Sequence, residues 1–124
     1  MTQPLALIVY ERLLPGSQLV NRLQDLNYRV QVVAKPEQLV EVAQNAKPLV
    51  VLADLEPARQ QAFSALTKLR QNAATKHLPV IAFGADEGDQ LKAQAEAAGV
   101  TLLVSHTAVL NYLPQLLDQA LQLD

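Results

Sequence analysis

Five short apolar runs recur along this chain, and each is followed by a stretch with helical spacing. The runs are Leu5-Ala6-Leu7-Ile8-Val9, Tyr28-Arg29-Val30-Gln31-Val32-Val33, Leu49-Val50-Val51-Leu52-Ala53, Val80-Ile81-Ala82-Phe83 and Thr101-Leu102-Leu103-Val104. Short runs rich in β-branched residues and bounded by turn signals read as strands, and continuous apolar ones suit strands covered on both faces. The second run alternates apolar with polar residues, which suits a more exposed edge strand. Between the runs, Leu19, Val20, Leu23 and Leu26 mark one face of a first helix. Leu39, Val42, Ala43 and Ala46 mark a second, with Pro36 near its start. Phe63, Leu66 and Leu69 mark a third, and a fourth spans about 87 to 98 with Gly99 as its C-cap. Leu110, Leu113, Leu117 and Leu121 mark a fifth. Strict β-α alternation predicts a parallel sheet with right-handed crossovers and helices on both faces.

At 124 residues the chain has the common size of one domain, and a single domain over 1–124 is expected. With aromatics at 4% and no Trp, its core must be built from Leu, Val, Ile and Ala. Ten basic and twelve acidic residues give a net charge of −2, with no basic block to attract nucleic acid and no basic amphipathic stretch for an anionic membrane. No cysteine is present, which excludes disulfides, thiolate metal sites and Cys nucleophiles. No apolar run approaches the ~20 residues needed to cross a bilayer. No secretory signal is evident, and a cytoplasmic location is the default.

In an open, doubly wound sheet, function gathers at the carboxyl ends of the strands. Here those ends lead into Tyr10-Glu11, Ala34-Lys35, Asp54-Leu55-Glu56-Pro57, Gly84-Ala85-Asp86 and Ser105-His106-Thr107. With Asp54 closing the third strand and Pro57 shortly after, Leu78-Pro79-Val80-Ile81 introducing the fourth, and Ala97-Ala98-Gly99 before the fifth, the whole chain resembles the receiver domain of bacterial response regulators. The resemblance implies a flavodoxin-like three-layer sandwich, with a five-stranded parallel sheet in the order 2-1-3-4-5 and five helices. It makes Asp54 the equivalent of the phosphoacceptor. It also implies two acids after the first strand for Mg²⁺, a Ser or Thr after the fourth to bond the phosphate, a Lys after the fifth to meet its charge, and a mobile aromatic residue in the fifth.

This sequence departs from that pattern at each supporting position. The acid pair is Tyr10-Glu11, so one carboxylate remains. The hydroxyl position falls on Gly84, and the Lys position on His106, or on Ser105 after a one-residue shift. Leu103 stands where the aromatic residue is implied. Tyr10, Glu11, Glu56, Gly84, Ser105 and His106 therefore form a degenerate receiver site around Asp54. No cofactor is expected beyond weak Mg²⁺ at Glu11 and Asp54. Gly84 lacks a phosphate-binding motif, and no Ser-His-Asp, Cys-His or metal-ligand constellation points to an enzyme.

The expected function is that of a non-catalytic pseudo-receiver, a signal-transduction module working by protein–protein contact. Its interaction face would draw on Leu91, Ala95, Leu103, Val109, Leu110 and Tyr112, some of which must be core residues, and would serve a signalling partner or a homodimer. One alternative is an atypical phosphoaccepting receiver modified on Asp54 by a histidine kinase in a phosphorelay. A second is an unrelated small α/β ligand-binding or enzyme domain, since fold does not fix function.

Overall fold

A computed structural model describes residues 4–9, 13–33, 35–55, 59–84 and 89–122. The strands are β1 (Leu5–Val9), β2 (Arg29–Val33), β3 (Val50–Asp54), β4 (Val80–Gly84) and β5 (Leu102–Ser105). They form one sheet in the order β2-β1-β3-β4-β5, and every adjacent pair is parallel. The helices are α1 (Leu13–Asp25), α2 (Leu39–Ala46), α3 (Arg59–Gln71), α4 (Asp89–Ala97), α5 (His106–Asn111) and α6 (Leu113–Gln122), with a 3₁₀ turn at Pro36–Gln38 ahead of α2.

Side-chain alternation along the strands divides the core into two layers. Leu7, Val9, Val51 and Ala53 face Leu39 and Ala43 of α2 and Leu66 and Leu69 of α3. Their neighbours Ala6, Ile8, Val50 and Leu52 face the other way, onto Leu19 and Leu23 of α1, Val109 of α5 and Leu113 and Leu117 of α6. β1 and β3 are buried along their whole length, as continuous apolar runs require, whereas β2 buries only Val33. β2 is the exposed edge strand that its alternating sequence predicts.

The fifth helix differs from expectation: it is two helices, broken at Tyr112, whose φ of −120° and ψ of 25° are not helical. Pro114 explains the break. It has no N–H, and within a continuous helix its ring would collide with the carbonyl of Leu110. The chain stops α5 first and restarts with Pro114 in the first turn of α6, where an N–H is dispensable. Heptad-like leucine spacing survives because Leu113 and Leu117 still reach the core.

Gly99 ends α4 in the left-handed region, at φ +82°. The Val100 N–H donates to the Ala95 carbonyl at 3.0 Å and the Gly99 N–H to that of Glu96 at 3.1 Å, the pair of bonds of a Schellman cap. Arg70 lies across this turn. Its Nε donates to the Gly99 carbonyl at 2.7 Å, one terminal nitrogen to the Lys76 carbonyl at 2.6 Å, and the other to Thr101 Oγ1 at 3.2 Å. Thr101 Oγ1 also accepts from the Val80 N–H at 3.0 Å, so α3, the Gly99 turn and the starts of β4 and β5 are tied together.

Two expectations follow. A Cβ at Gly99 would overlap Arg70 Cγ and come within 2.8 Å of its Nε, on a backbone that L-residues rarely adopt. Gly99→Ala should therefore cost more than the ~1 kcal/mol typical of left-handed backbone alone. In urea unfolding, Gly99→Ala combined with Arg70→Ala should cost less than the sum of the two, because the overlap is then relieved. The second concerns alkali. Burial, and then the negative charge of Asp118, raise the Tyr28 pKa above its ordinary 10.0. A raised folded-state pKa means that the folded chain holds this proton more tightly than the unfolded one. Stability is then intact below pH 10.0 and falls as pH rises toward the folded value. Unfolding curves on either side of pH 10.0 should show this loss, and Tyr28→Phe should remove its share.

Candidate functional site

The sheet register brings part of the sequence-derived site to one edge. Asp54 is the last residue of β3 and stands in register with Phe83, and Gly84 of β4 stands in register with Ser105 of β5. His106 opens α5 directly after. Asp54, Gly84, Ser105 and the first turn of α5 thus share the carboxyl end of the sheet, on strands ~4.8 Å apart. Tyr10, Glu11 and Glu56 lie outside the described residues.

Asp54 is 5% exposed and is engaged by its surroundings rather than free. Among the described residues only it and Thr75 are polar and buried. Thr75 is explained locally, its hydroxyl donating to the Leu69 carbonyl at 2.6 Å. A carboxylate is costly to bury unless it is paired, and Asp54 is so engaged. Its backbone is also held: the Leu55 N–H donates to the Phe83 carbonyl at 2.9 Å, continuing the ladder past Asp54. Leu55 is fully buried against Ala62 and Ala82, with Leu103 packed on the same cluster.

Ser105 has a defined task. It is the N-cap of α5, in extended conformation, and its hydroxyl accepts from the Ala108 N–H at 3.1 Å. This capping role differs from the displaced cation position expected of Ser105. Gly84 brings no hydroxyl to the neighbouring strand. Of the Mg²⁺ ligands the resemblance implies, the described residues supply one carboxylate, Asp54. Among the described residues no group of three His, Cys, Asp or Glu could hold a metal ion. Glu11, the other carboxylate expected there, lies outside the described residues.

The overall arrangement matches solved structures closely. The chain superposes on the chemotaxis protein CheY4 of Vibrio cholerae with a TM-score of 0.86, at 19% identity over 96% of this chain and 99% of that one. The receiver domain of an HD domain-containing protein of Pseudomonas fluorescens gives 0.83, at 18% identity over 98% and 96%. A response regulator of Thermotoga maritima gives 0.82, at 15% identity over 98% and 99%. The fold is that of response-regulator receivers. No protein-family model matches the chain, and no curated protein matches it either. At these identities the likeness is one of fold.

Within that receiver fold, the residues of the expected interaction face separate. Val109 is fully buried against α1 and the sheet, and Ala95 is 2% exposed, so both belong to the interior. Leu103 and Leu110 are half-buried, and Tyr112 is 57% exposed. The side chain of Leu91 lies outside the described residues. No helix among the described residues is long and apolar enough to cross a membrane. The capping role of Ser105 has a direct check. Ser105→Ala should lower stability by about 1 kcal/mol, and Ser105→Asp, which keeps an accepting oxygen, should restore most of it in thermal or urea unfolding.

Proposed function

We propose that this chain is a signal-transduction domain that uses a receiver fold as a protein-contact module, without a phosphorylation switch and without catalysis of its own. The carrying observation is the state of the polar groups beside Asp54. In register across the neighbouring strands stand Gly84, which has no side-chain hydroxyl, and Ser105, whose hydroxyl caps α5. A phosphoryl group on Asp54 would find neither group free to follow it. A ligand shifts an equilibrium only through contacts that differ between two states. Leu103, on the cluster beneath Leu55, offers an aliphatic chain where a mobile ring is implied.

A second reading is favoured by Asp54 itself. A buried carboxylate at the end of β3, in a fold shared with CheY4, is placed as a phosphoacceptor would be. Under this reading the chain is an atypical receiver, modified on Asp54 by a histidine kinase.

Intact-mass measurement after incubation with acetyl phosphate and Mg²⁺, on the native chain and on Asp54→Asn, separates the two. The first reading expects no phosphoryl adduct specific to Asp54. Amide NMR with beryllofluoride under saturating Mg²⁺ extends the test to the switch. Large shifts from Val100 to Val109 that vanish in Asp54→Asn would establish a working receiver and overturn the proposal.

A further inference from the structure

At the amino end of the sheet, away from Asp54, a cavity of about 290 Å³ opens between the end of α2 and the segment that leads into β4. Ala43, Pro48 and Leu78 are buried and form its apolar floor, with Ala74 exposed at one side. Gln44, Lys47 and His77 are exposed around it. Among the described residues no acid lines it. Pro48 precedes Asp54 by six residues of largely extended chain, which places the cavity ~20 Å from that carboxylate.

Lys47 is held in an unusual way. It follows α2 with φ 53° and ψ 61°, in the left-handed region, and its N–H donates to the Ala43 carbonyl at 3.0 Å. Glycine most often fills such a position, because a Cβ is crowded there. Asn27 is the other described non-glycine residue with positive φ, and its short polar side chain tolerates that backbone. Lysine has no such property. A lysine beyond a helix end can instead bond the last carbonyls of the helix. Among the described residues the Lys47 ammonium makes no such bond and no ion pair, and the Gln44 amide and the His77 ring are likewise without partners. Neither the turn nor a cap accounts for a lysine here, and backbone strain of this kind gathers at ligand sites.

We infer that this cavity binds a small organic carboxylate. Ligand sites combine apolar walls with a few convergent polar groups. The floor of Ala43, Pro48 and Leu78 takes the body of the ligand, and the Lys47 ammonium meets its charge. The Gln44 amide and a ring N–H of His77 supply further donors to the carboxylate oxygens. With no acid in the described lining, no like charge there opposes an anion. The volume lies near the low end for ligand sites, ~300 Å³, which limits the body to about one ring or a short branched chain. An inorganic anion would leave the floor uncovered, and a neutral molecule would leave Lys47 unmatched. The inference goes beyond the protein-contact reading, giving the domain a chemical input that does not depend on whether Asp54 accepts a phosphoryl group.

Amide NMR of the full chain titrated with sodium benzoate should show saturable shifts at residues 43–48 and 74–78, with a Kd of about 1 mM or tighter. Benzamide has the same ring without the charge, and inorganic phosphate has charge without the ring. Each should bind about tenfold more weakly or not at all. Lys47→Gly should reduce benzoate affinity about tenfold, yet leave stability in urea unchanged or higher, since glycine suits the left-handed backbone. Lys47→Arg should keep the binding. Ala74→Leu, at an exposed position, should fill the mouth of the cavity and block benzoate while the chain stays folded. Three results would each overturn the inference: no saturable shift at these residues, equal affinity for benzamide or phosphate, or benzoate binding that survives both Lys47→Gly and Ala74→Leu. None of them bears on the acetyl phosphate experiment, which decides the proposed function separately.

Discussion

The hydrogen-bonded ladder joining β1, β3 and β4 sets the position of everything else. These strands are buried, so a main-chain group that missed its partner would stay unpaired away from water, at ~1–3 kcal/mol. The register Ala6↔Val50 and Val51↔Val80 is consequently not adjustable one residue at a time. A single-residue slip would turn Leu7 and Val9 from the α2–α3 layer into the α1–α5–α6 layer, and would bring Ala6 and Ile8 the other way. Both layers would then be wrongly filled. Because the ladder extends to Asp54↔Phe83 and on to Leu55, the same constraint that builds the core also fixes where the carboxylate stands.

The two ends of the sheet differ among the described residues. At the amino end of β4 and β5, Arg70 crosses a Schellman turn and shares Thr101 Oγ1 with the Val80 N–H. Its stem occupies the space that any side chain at Gly99 would need. Many directional bonds meet there, around a glycine that tolerates no replacement cheaply. At the carboxyl end, the strands deliver Asp54, Gly84 and Ser105 to adjacent positions. Among the described residues, the bonds around Gly99 lie at the amino end of β4 and β5, and Asp54, Gly84 and Ser105 lie at the carboxyl end.

The fold was legible because its signal is repetitive. Continuous apolar runs at Leu5–Val9 and Val50–Ala53 can be satisfied only by strands covered on both faces, and the alternating Arg29–Val33 only by an edge. Gly99 was legible for a local reason, its place after a helical run. The break at Tyr112 was missed because leucine spacing was allowed to outweigh Pro114, although proline's missing N–H is the harder constraint. The latch of Arg70 carried no sequence signal, since Gly99 and Thr101 are 29 and 31 residues away. The candidate site was legible only as a set of positions. That Ser105 caps α5 depends on where β5 ends, and strand boundaries are the least determined part of an apolar run: the expected strand began at Thr101, whereas the observed one begins at Leu102.

Besides the strand register, a side-chain route joins Asp54 to the β5 edge among the described residues. Leu55 follows Asp54 and packs with Ala62 and Ala82, and Leu103 packs onto that cluster from β5. Leu103 also borders an open groove beside α4. Coupling along such a route requires an element with two discrete arrangements, each preferred by a different state of the site. An aromatic ring can supply that by swinging between an inward and an outward position. Leu103 is smaller, and its side chain sits between a packed cluster and an open groove, so moving it inward would need a void that the close contact of Leu55 with Ala82 does not provide. On the proposed function, a route that lacks such an element leaves the β5 edge in a constant form, which suits a standing contact better than a conditional one.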